Sequence, residues 1–144
     1  MFPYNFLVFG CLLINIAGCA AYDSANREDP QTSGIVQATA AYSASADGRT
    51  VLIDVREPNE IERGAPEKAA AQIVYRLNHS QDAKFVNGTS AAVAGNRSTS
   101  ITLICATGVR SAAARDLLRQ HGFTNVKSLD GGFRAWQTAQ LPVR

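Results

Sequence analysis

Cys105 is the residue of this sequence with the clearest capacity for chemistry, because of its position and its neighbours in the chain. It comes directly after the apolar run Ile101–Ile104, and Gly108 and Arg110 lie within the next five residues. Such a run predicts a buried strand, and the loop after it can turn several backbone N–H groups toward one atom. Those N–H groups, the positive end of a following helix and the guanidinium all favour a thiolate. The pattern predicts a cysteine nucleophile; a small buried core cysteine is the alternative.

The charge of the chain is small but unevenly distributed. Its 144 residues have the length of one domain, and the hydrophobic content of 46% allows a folded core. The formal net charge is +2, whereas residues 97–144 hold seven Lys or Arg against two Asp, net +5. An excess of positively charged residues around a site favours thiolates and small anionic substrates. No basic stretch is interleaved with aromatic residues, so the composition does not indicate nucleic-acid binding.

The other cysteines and the histidines restrict the chemistry of Cys105. The three cysteines are Cys11, Cys19 and Cys105, which cannot form a disulfide framework for the domain. A thioredoxin-like oxidoreductase needs a resolving cysteine, and none remains if the N-terminal segment is an export signal whose cysteines are removed or lipidated. His79 and His121 are isolated and lack metal-ligand spacing with Cys105. We therefore expect neither dithiol exchange nor a metal site.

The elements that must position Cys105 alternate between strand and helix from residue 35 onward. A continuous apolar run predicts a strand at residues 51–53, and stretches with apolar residues predict strands at 73–75, 101–104 and 126–129. Helical spacing and boundary residues predict helices at residues 35–46, 58–63, 110–121 and 133–138, with two short pieces possible at 81–85 and 90–94. This alternation predicts an α/β fold with a mainly parallel sheet. Ligands bind beyond the carboxyl ends of such strands, which is where Asp54 and Cys105 lie.

Three stretches together resemble the rhodanese family. They are residues 105–110 (Cys-Ala-Thr-Gly-Val-Arg), 52–60 (Leu-Ile-Asp-Val-Arg-Glu-Pro-Asn-Glu) and 129–136 (Leu-Asp-Gly-Gly-Phe-Arg-Ala-Trp). They occur in the order and spacing of that family and span nearly the whole of residues 35–143. The resemblance implies a rhodanese-like three-layer domain, with a mainly parallel central sheet flanked by helices. It also implies a single-domain sulfurtransferase.

Carried over to this sequence, the resemblance gives Cys105 the role of nucleophile and persulfide carrier. It would take a sulfane sulfur from thiosulfate, a polysulfide or a low-molecular-weight persulfide and pass it to cyanide or a thiol. Asp54 and Arg56 would support the loop from the neighbouring strand end. The resemblance implies no cofactor. The residues of the predicted amide cradle are Ala106, Thr107, Gly108, Val109 and Arg110.

Two stretches depart from the family pattern. Residues 64–69 read Gly-Ala-Pro-Glu-Lys-Ala, where the family usually has a segment like Gly-His-Ile-Pro-Gly-Ala. Ala106 and Thr107 are uncharged at positions where members specialised for thiosulfate often carry charge. An anionic donor would therefore depend mainly on Arg110 and on the backbone amides, which argues against thiosulfate as the physiological donor.

Two other functions are alternatives to sulfur transfer. Related cell-cycle phosphatases have five residues between cysteine and arginine, whereas this loop has four, and Ile104 stands where a phosphatase usually has His. Both features argue against phosphatase activity. The second alternative is a non-catalytic or slow rhodanese-like module that carries sulfide or binds a partner while tethered to a membrane.

The N-terminal segment has the pattern of an export signal. Residues 6–14 are uninterruptedly apolar, which is too short to span a bilayer but suits the apolar core of a signal peptide. The residues Ile-Ala-Gly-Cys at positions 16–19 resemble the lipobox of bacterial lipoproteins, although residues 1–5 contain no Lys or Arg. The resemblance implies cleavage before Cys19 and lipidation of that cysteine.

The predicted organisation therefore has three parts. Residues 1–18 form the signal peptide, residues 19–34 a lipid-anchored flexible tether, and residues 35–144 the rhodanese-like domain. The stretch after Cys19 is polar and rich in turn-forming residues, which favours a tether. The expected location is outside the bacterial cytoplasm, on a membrane-anchored lipoprotein that faces the periplasm.

Overall fold

The computed structural model describes residues 34–144, in which five strands form one sheet. The predicted signal peptide, Cys19 and nearly all of the predicted tether lie outside the described residues. Every pair of neighbouring strands is parallel, and the order across the sheet is β1-β5-β4-β2-β3. The strands are β1 (Ile35–Val36), β2 (Val51–Asp54), β3 (Ala71–Gln72), β4 (Ile101–Ile104) and β5 (Val126–Leu129).

Helices cover both faces of the sheet. They are α1 (Ala38–Ala46), α2 (Pro58–Ile61), α3 (Asp82–Ala92), α4 (Val109–Gln120) and α5 (Gly132–Thr138). One apolar cluster joins α3 and α4 to the sheet through side chains such as Phe85 and Leu118. A second cluster joins α1 and α5 to the other face, with Trp136 fully buried within it. The predicted fold class, a three-layer α/β domain with a parallel central sheet, is confirmed.

The strand that leads to Cys105 occupies the centre of the sheet. β4 pairs with β2 on one side and with β5 on the other. All four residues of Ile101–Ile104 are buried, which is why three of them are apolar. The exception, Thr102, has its hydroxyl 3.1 Å from that of Thr50. Cys105, the residue after this strand, is thereby held at the carboxyl end of the central strand.

Two predicted boundaries are wrong at the edges of the sheet. The sequence predicts one helix over residues 35–46, but Ile35–Val36 pairs with β5 as strand β1 before α1 begins. It also predicts a strand over residues 73–75, but the ladder of β3 ends at Gln72, opposite Asp54. The apolar character of residues 73–75 instead reflects packing, since Tyr75 is buried in the core.

Helix α3 is continuous, whereas the sequence predicts two separate pieces there. Gly88 lies in the middle of the helix and lowers its intrinsic propensity by roughly 1 kcal/mol relative to alanine. Phe85, Val86 and Thr89 are buried on one face of this helix. Packing of that face therefore overrides the weak local pattern.

The segment that departs from the family pattern is tied to the end of the described chain. Ala65 and Arg144 exchange two backbone hydrogen bonds, of 3.1 and 2.9 Å. Pro66 forms an isolated antiparallel bridge with Val143. Within residues 34–144, no helix is long and apolar enough to cross a membrane.

Candidate active site

Cys105 lies at the carboxyl end of β4, where the chain turns into α4. Its Sγ atom accepts a hydrogen bond from the backbone N–H of Gly108 at 3.1 Å. The hydroxyl of Ser111 lies 3.5 Å from the same sulfur. Gly108 is the residue before α4 and has φ of +99°, a backbone conformation that residues with a side chain rarely adopt. The loop is thus shaped to turn its amides toward the sulfur.

Burial and hydrogen bonding have opposite effects on the Cys105 thiol. Burial raises its pKa, because a charged sulfur loses the solvation of water. Hydrogen bonds from the Ser111 hydroxyl and from the amides of Ser111, Thr107 and Gly108 lower it. The net result is that the pKa of Cys105 lies below its ordinary value. The site therefore favours the thiolate, which is the nucleophilic form.

The Ser111 hydroxyl belongs to a small buried network. Its Oγ lies 2.8 Å from the Oγ of Ser128, which is on β5, and 3.1 Å from the carbonyl oxygen of Gly108. When the single Ser111 proton points to the sulfur, the Ser128 hydroxyl can donate to Ser111. Both serines are buried, with 0% and 3% exposure. This network holds the Ser111 hydroxyl beside the sulfur of Cys105.

The N-terminus of α5 supports the loop from the side of β5. The backbone N–H of Phe133 donates to the carbonyl of Cys105 at 2.7 Å, and that of Arg134 donates to Ala106 at 3.1 Å. Gly132 has φ of +58°, and a Cβ atom there would lie 2.5 Å from the carbonyl oxygen of Cys105. Only glycine therefore fits at this position. The Gly-Gly pair of residues 131–132 permits this close contact between α5 and the loop.

Arg110 does not present a free charge at the site. Its guanidinium donates two hydrogen bonds to the carboxylate of Glu60, at 2.8 and 2.6 Å. Glu60 in turn accepts a hydrogen bond from the backbone N–H of Glu57 at 3.0 Å, which completes a capping box on α2. The pKa of Glu60 is lowered, mainly by the hydrogen bond from Arg110. The sequence-based expectation of an uncompensated guanidinium beside Cys105 is therefore replaced by an ion pair.

Asp54 and Arg56 form a second pair that lies deeper in the protein. Arg56 donates to both carboxylate oxygens of Asp54, with a shortest distance of 2.7 Å, and the side chains of Arg56 and Asp54 are 4% and 0% exposed. Arg56 also donates to the carbonyl of Gly64 at 2.8 Å and stacks over the ring of Phe133 at 4.0 Å. Through Phe133, whose backbone N–H donates to the carbonyl of Cys105, the pair is connected to the loop.

The side chain of Cys105 is hidden from solvent. The residue is 1% exposed and belongs to the apolar cluster that includes α3 and α4. Thr107 and Val109 of the adjoining loop are exposed. The sulfur therefore lies beneath the loop rather than on its surface. A molecule in solution reaches it only if surrounding residues move.

The structure brings most of the predicted site residues together at one edge of the sheet. Residues 106–108 form the loop, whereas Val109 and Arg110 are the first residues of α4. The sequence patterns give no role to Ser111, Ser128 or Glu60. Ser111 and Glu60 lie in or beside the family-like stretches, but their partners are distant in sequence, at separations of 17 and 50 residues. No local pattern signals such pairs.

The fold and the cysteine loop define a class of protein. The chain belongs to the Rhodanese-like domain family, whose profile matches residues 37–139. The match begins and ends within the described residues and includes every element from α1 to α5. It therefore covers nearly the whole layered domain.

Individual relatives agree with this assignment. A thiosulfate sulfurtransferase, GlpE, of Vibrio cholerae is 27% identical over 108 residues, which are 75% of this chain and 92% of that protein. A rhodanese-related protein from Thermoplasma volcanium is 26% identical, with a TM-score of 0.57 over 76% of this chain and 95% of that one. A rhodanese-like domain from Anabaena has the same fold, at 24% identity and a TM-score of 0.63, over 77% and 78% of the two chains.

Proposed function

We propose that this protein is a sulfurtransferase that carries a sulfane sulfur on Cys105. The observation that supports the proposal is the convergence of donors on the Cys105 sulfur, from Gly108 at 3.1 Å and from Ser111 at 3.5 Å. Donors arranged in this way stabilise a negative charge on sulfur, whether on a thiolate or on a persulfide. The similarity to a thiosulfate sulfurtransferase supports the same class of reaction.

The reaction consists of two displacements at sulfur. The Cys105 thiolate attacks the outer sulfur of the donor, the bond between that sulfur and the rest of the donor breaks, and its electron pair leaves with the donor remainder. The acceptor, a thiolate or cyanide, then attacks the outer sulfur of the Cys105 persulfide. The S–S bond breaks and its electron pair returns to Cys105. No net oxidation or reduction occurs, and the reaction needs no cofactor.

The test is the intact mass of the purified full chain after incubation with a sulfane sulfur donor. We expect one added sulfur atom with thiosulfate, a polysulfide or a glutathione persulfide, and its removal by cyanide. Cys105→Ser is the matched control, because it keeps Cys11 and Cys19 and removes only the proposed carrier. The proposal is wrong if no donor adds sulfur, or if the added sulfur is equally present in Cys105→Ser.

A non-catalytic module is the second candidate, and the burial of Cys105 is the observation that favours it. A residue that is 1% exposed has the environment of a core cysteine. Thiol labelling separates the two functions. A site that opens for a small donor reacts with iodoacetamide much faster than with a bulky maleimide, and faster at neutral pH than a free thiol of ordinary pKa. A core cysteine reacts with neither reagent until the protein unfolds.

We further propose that the protein is an exported lipoprotein, anchored through Cys19 and facing the periplasm. The proposal rests on the apolar segment 6–14 and on the lipobox-like residues 16–19. Expression in a bacterial host with labelled palmitate should label the protein, and Cys19→Ala should abolish the label and the processing. A mature protein that is cleaved elsewhere and carries no lipid would contradict the anchor.

A further inference from the structure

We propose that Glu60 determines the sulfur donor by cancelling the charge of Arg110 at the active-site loop. With that charge cancelled, Cys105 takes sulfur from organic donors of low charge, such as an alkyl persulfide, in preference to the thiosulfate dianion. This inference rests on the proposed sulfurtransferase function. It assigns a specificity role to a residue outside the cysteine loop.

The Arg110–Glu60 pair is a bidentate ion pair. Two nitrogens of the guanidinium contact the two carboxylate oxygens at 2.8 and 2.6 Å. The side chains are 20% and 29% exposed, so the pair borders solvent without being free in it. Bidentate pairs of this kind hold both partners in one orientation. The guanidinium of Arg110 is therefore already hydrogen-bonded to Glu60 before a donor binds.

Glu60 has further hydrogen bonds besides those with Arg110. The backbone N–H of Glu57 donates to the Glu60 carboxylate at 3.0 Å, and Pro58 begins the short helix that carries it. The backbone carbonyl of Glu60 lies 3.4 Å from the buried guanidinium of Arg56. The carboxylate that neutralises Arg110 thus belongs to a rigid element of the fold.

A second ion pair extends the neutral surface beyond Glu60. Arg76 donates to the two carboxylate oxygens of Glu57 at 2.7 and 3.1 Å. The four charges along this line, from Arg76 through Glu57 and Glu60 to Arg110, sum to zero. Of the seven basic residues in residues 97–144, Arg110 is the one that belongs to this line, and its charge is balanced there.

The remaining residues of the loop add no charge. Ala106, Thr107 and Val109 are uncharged, and Val109 is 62% exposed beside the site. A dianion gains little from such an entrance, whereas an organic group can pack against it. For an alkyl persulfide, R–S–SH, the Cys105 thiolate attacks the outer sulfur and the S–S bond breaks with its electron pair going to R–S⁻. The proton stays on the new persulfide, and the charge of −1 is conserved.

The experiment varies the charge of the pair in the full chain and measures kcat/KM with two stable donors that react alike. Thiosulfate is a dianion that releases sulfite, and the methanethiosulfonate anion carries one charge and releases a sulfinate. Glu60→Gln leaves Arg110 unpaired and keeps an oxygen that can accept the Glu57 N–H. We expect kcat/KM to rise about threefold for the monoanion and about tenfold for thiosulfate, because Coulomb energy is proportional to charge.

Arg110→Gln and the double variant complete the cycle. Arg110→Gln leaves the carboxylate unpaired, so thiosulfate should lose more activity than methanethiosulfonate. The double variant has a neutral entrance again, and its ratio of the two kcat/KM values should return to that of the wild type. Asp47→Asn is the control of equal charge change, at an exposed pair distant from the loop, and should leave the ratio unchanged.

Salt dependence provides a readout that a purely structural role would not change. Charges at an entrance act on the rate of encounter and are screened by salt. With thiosulfate, the rate should be nearly independent of salt for wild type, fall with salt for Glu60→Gln and rise with salt for Arg110→Gln. The inference is wrong if wild type forms the Cys105 persulfide but the wild type and its pair variants share one donor ratio and one salt slope. If wild type forms no persulfide with either donor, the proposed function fails instead.

Discussion

Two arginine–carboxylate pairs lie near the cysteine loop, and they differ mainly in burial. The Asp54 and Arg56 side chains are 0% and 4% exposed, whereas those of Glu60 and Arg110 are 29% and 20% exposed. Both pairs have short contacts, of 2.7 and 2.6 Å, so distance alone does not distinguish them. The property that distinguishes the two pairs is the solvent exposure of their charged side chains.

This difference separates a structural role from a role at the entrance of the site. A buried charge without a partner is very unfavourable, so breaking the Asp54–Arg56 pair should destabilise the folded protein strongly. A charge that still borders water can lose its partner at small cost, and its field then acts on whatever approaches. The deeper pair therefore stabilises the fold around the loop, and the outer pair is the one whose charges can act on an approaching molecule.

The largest expected effect comes from breaking the buried pair. Asp54→Ala leaves the Arg56 guanidinium buried without its carboxylate, and we expect a loss of about 3–5 kcal/mol in the free energy of unfolding. Chemical denaturation of the purified protein measures it. Asp47→Ala, at an exposed pair, is the control and should change the same quantity by less than about 0.5 kcal/mol. A loss below about 1 kcal/mol for Asp54→Ala would remove the distinction between the two pairs.

Breaking the outer pair should have a much smaller effect on stability. Glu60→Ala removes the carboxylate from Arg110, which can then be solvated, and we expect a loss of roughly 1 kcal/mol or less. Part of that loss comes from the capping box on α2, where Glu60 accepts the N–H of Glu57. The same denaturation experiment measures it. A loss comparable to that of Asp54→Ala would mean that the outer pair is also a structural requirement.

The smallest expected effect is the pH dependence of the outer pair. The hydrogen bond from Arg110 is the largest cause of the lowered pKa of Glu60 in the folded protein. A lowered pKa means that the ionised carboxylate stabilises the fold above the ordinary value of 4.5, and that this contribution disappears as the pH falls through the folded pKa. Stability curves of wild type and Glu60→Gln should therefore differ at neutral pH and converge in acid. A difference that grows below pH 4.5 would contradict this assignment.

The sequence was sufficient for most of the sheet and for the position of the cysteine. The strand Ile101–Ile104 is buried on both sides, and such strands can be recognised in a sequence because most of their residues are apolar, here all but Thr102. Cys105 and Gly108 could be identified because the strand, the loop and the helix that form this part of the site are consecutive in sequence. The three family-like stretches lie where parallel strands end, and the sheet then brings them together.

The rest required the structure, for reasons that differ between elements. The two-residue strands β1 and β3 are too short to show a period, and their pairing is decided by neighbours. The Glu60–Arg110 pair joins residues 50 apart, and nothing in either local sequence specifies the partner. The burial of Cys105 likewise involves packing against residues of α3 and α4, which are distant from it in sequence or carry no local signal of that contact.

That burial has a consequence for how long the protein stays chemically intact. Irreversible oxidation of a cysteine increases with its thiolate character and with its exposure. At Cys105, hydrogen bonds promote the thiolate, while packing leaves only 1% of the residue exposed. We therefore expect irreversible oxidation of Cys105 to be slow as long as the residues around the sulfur stay in place. Under the proposed function a sulfur donor needs the same access, so fast turnover would oppose a long shelf life.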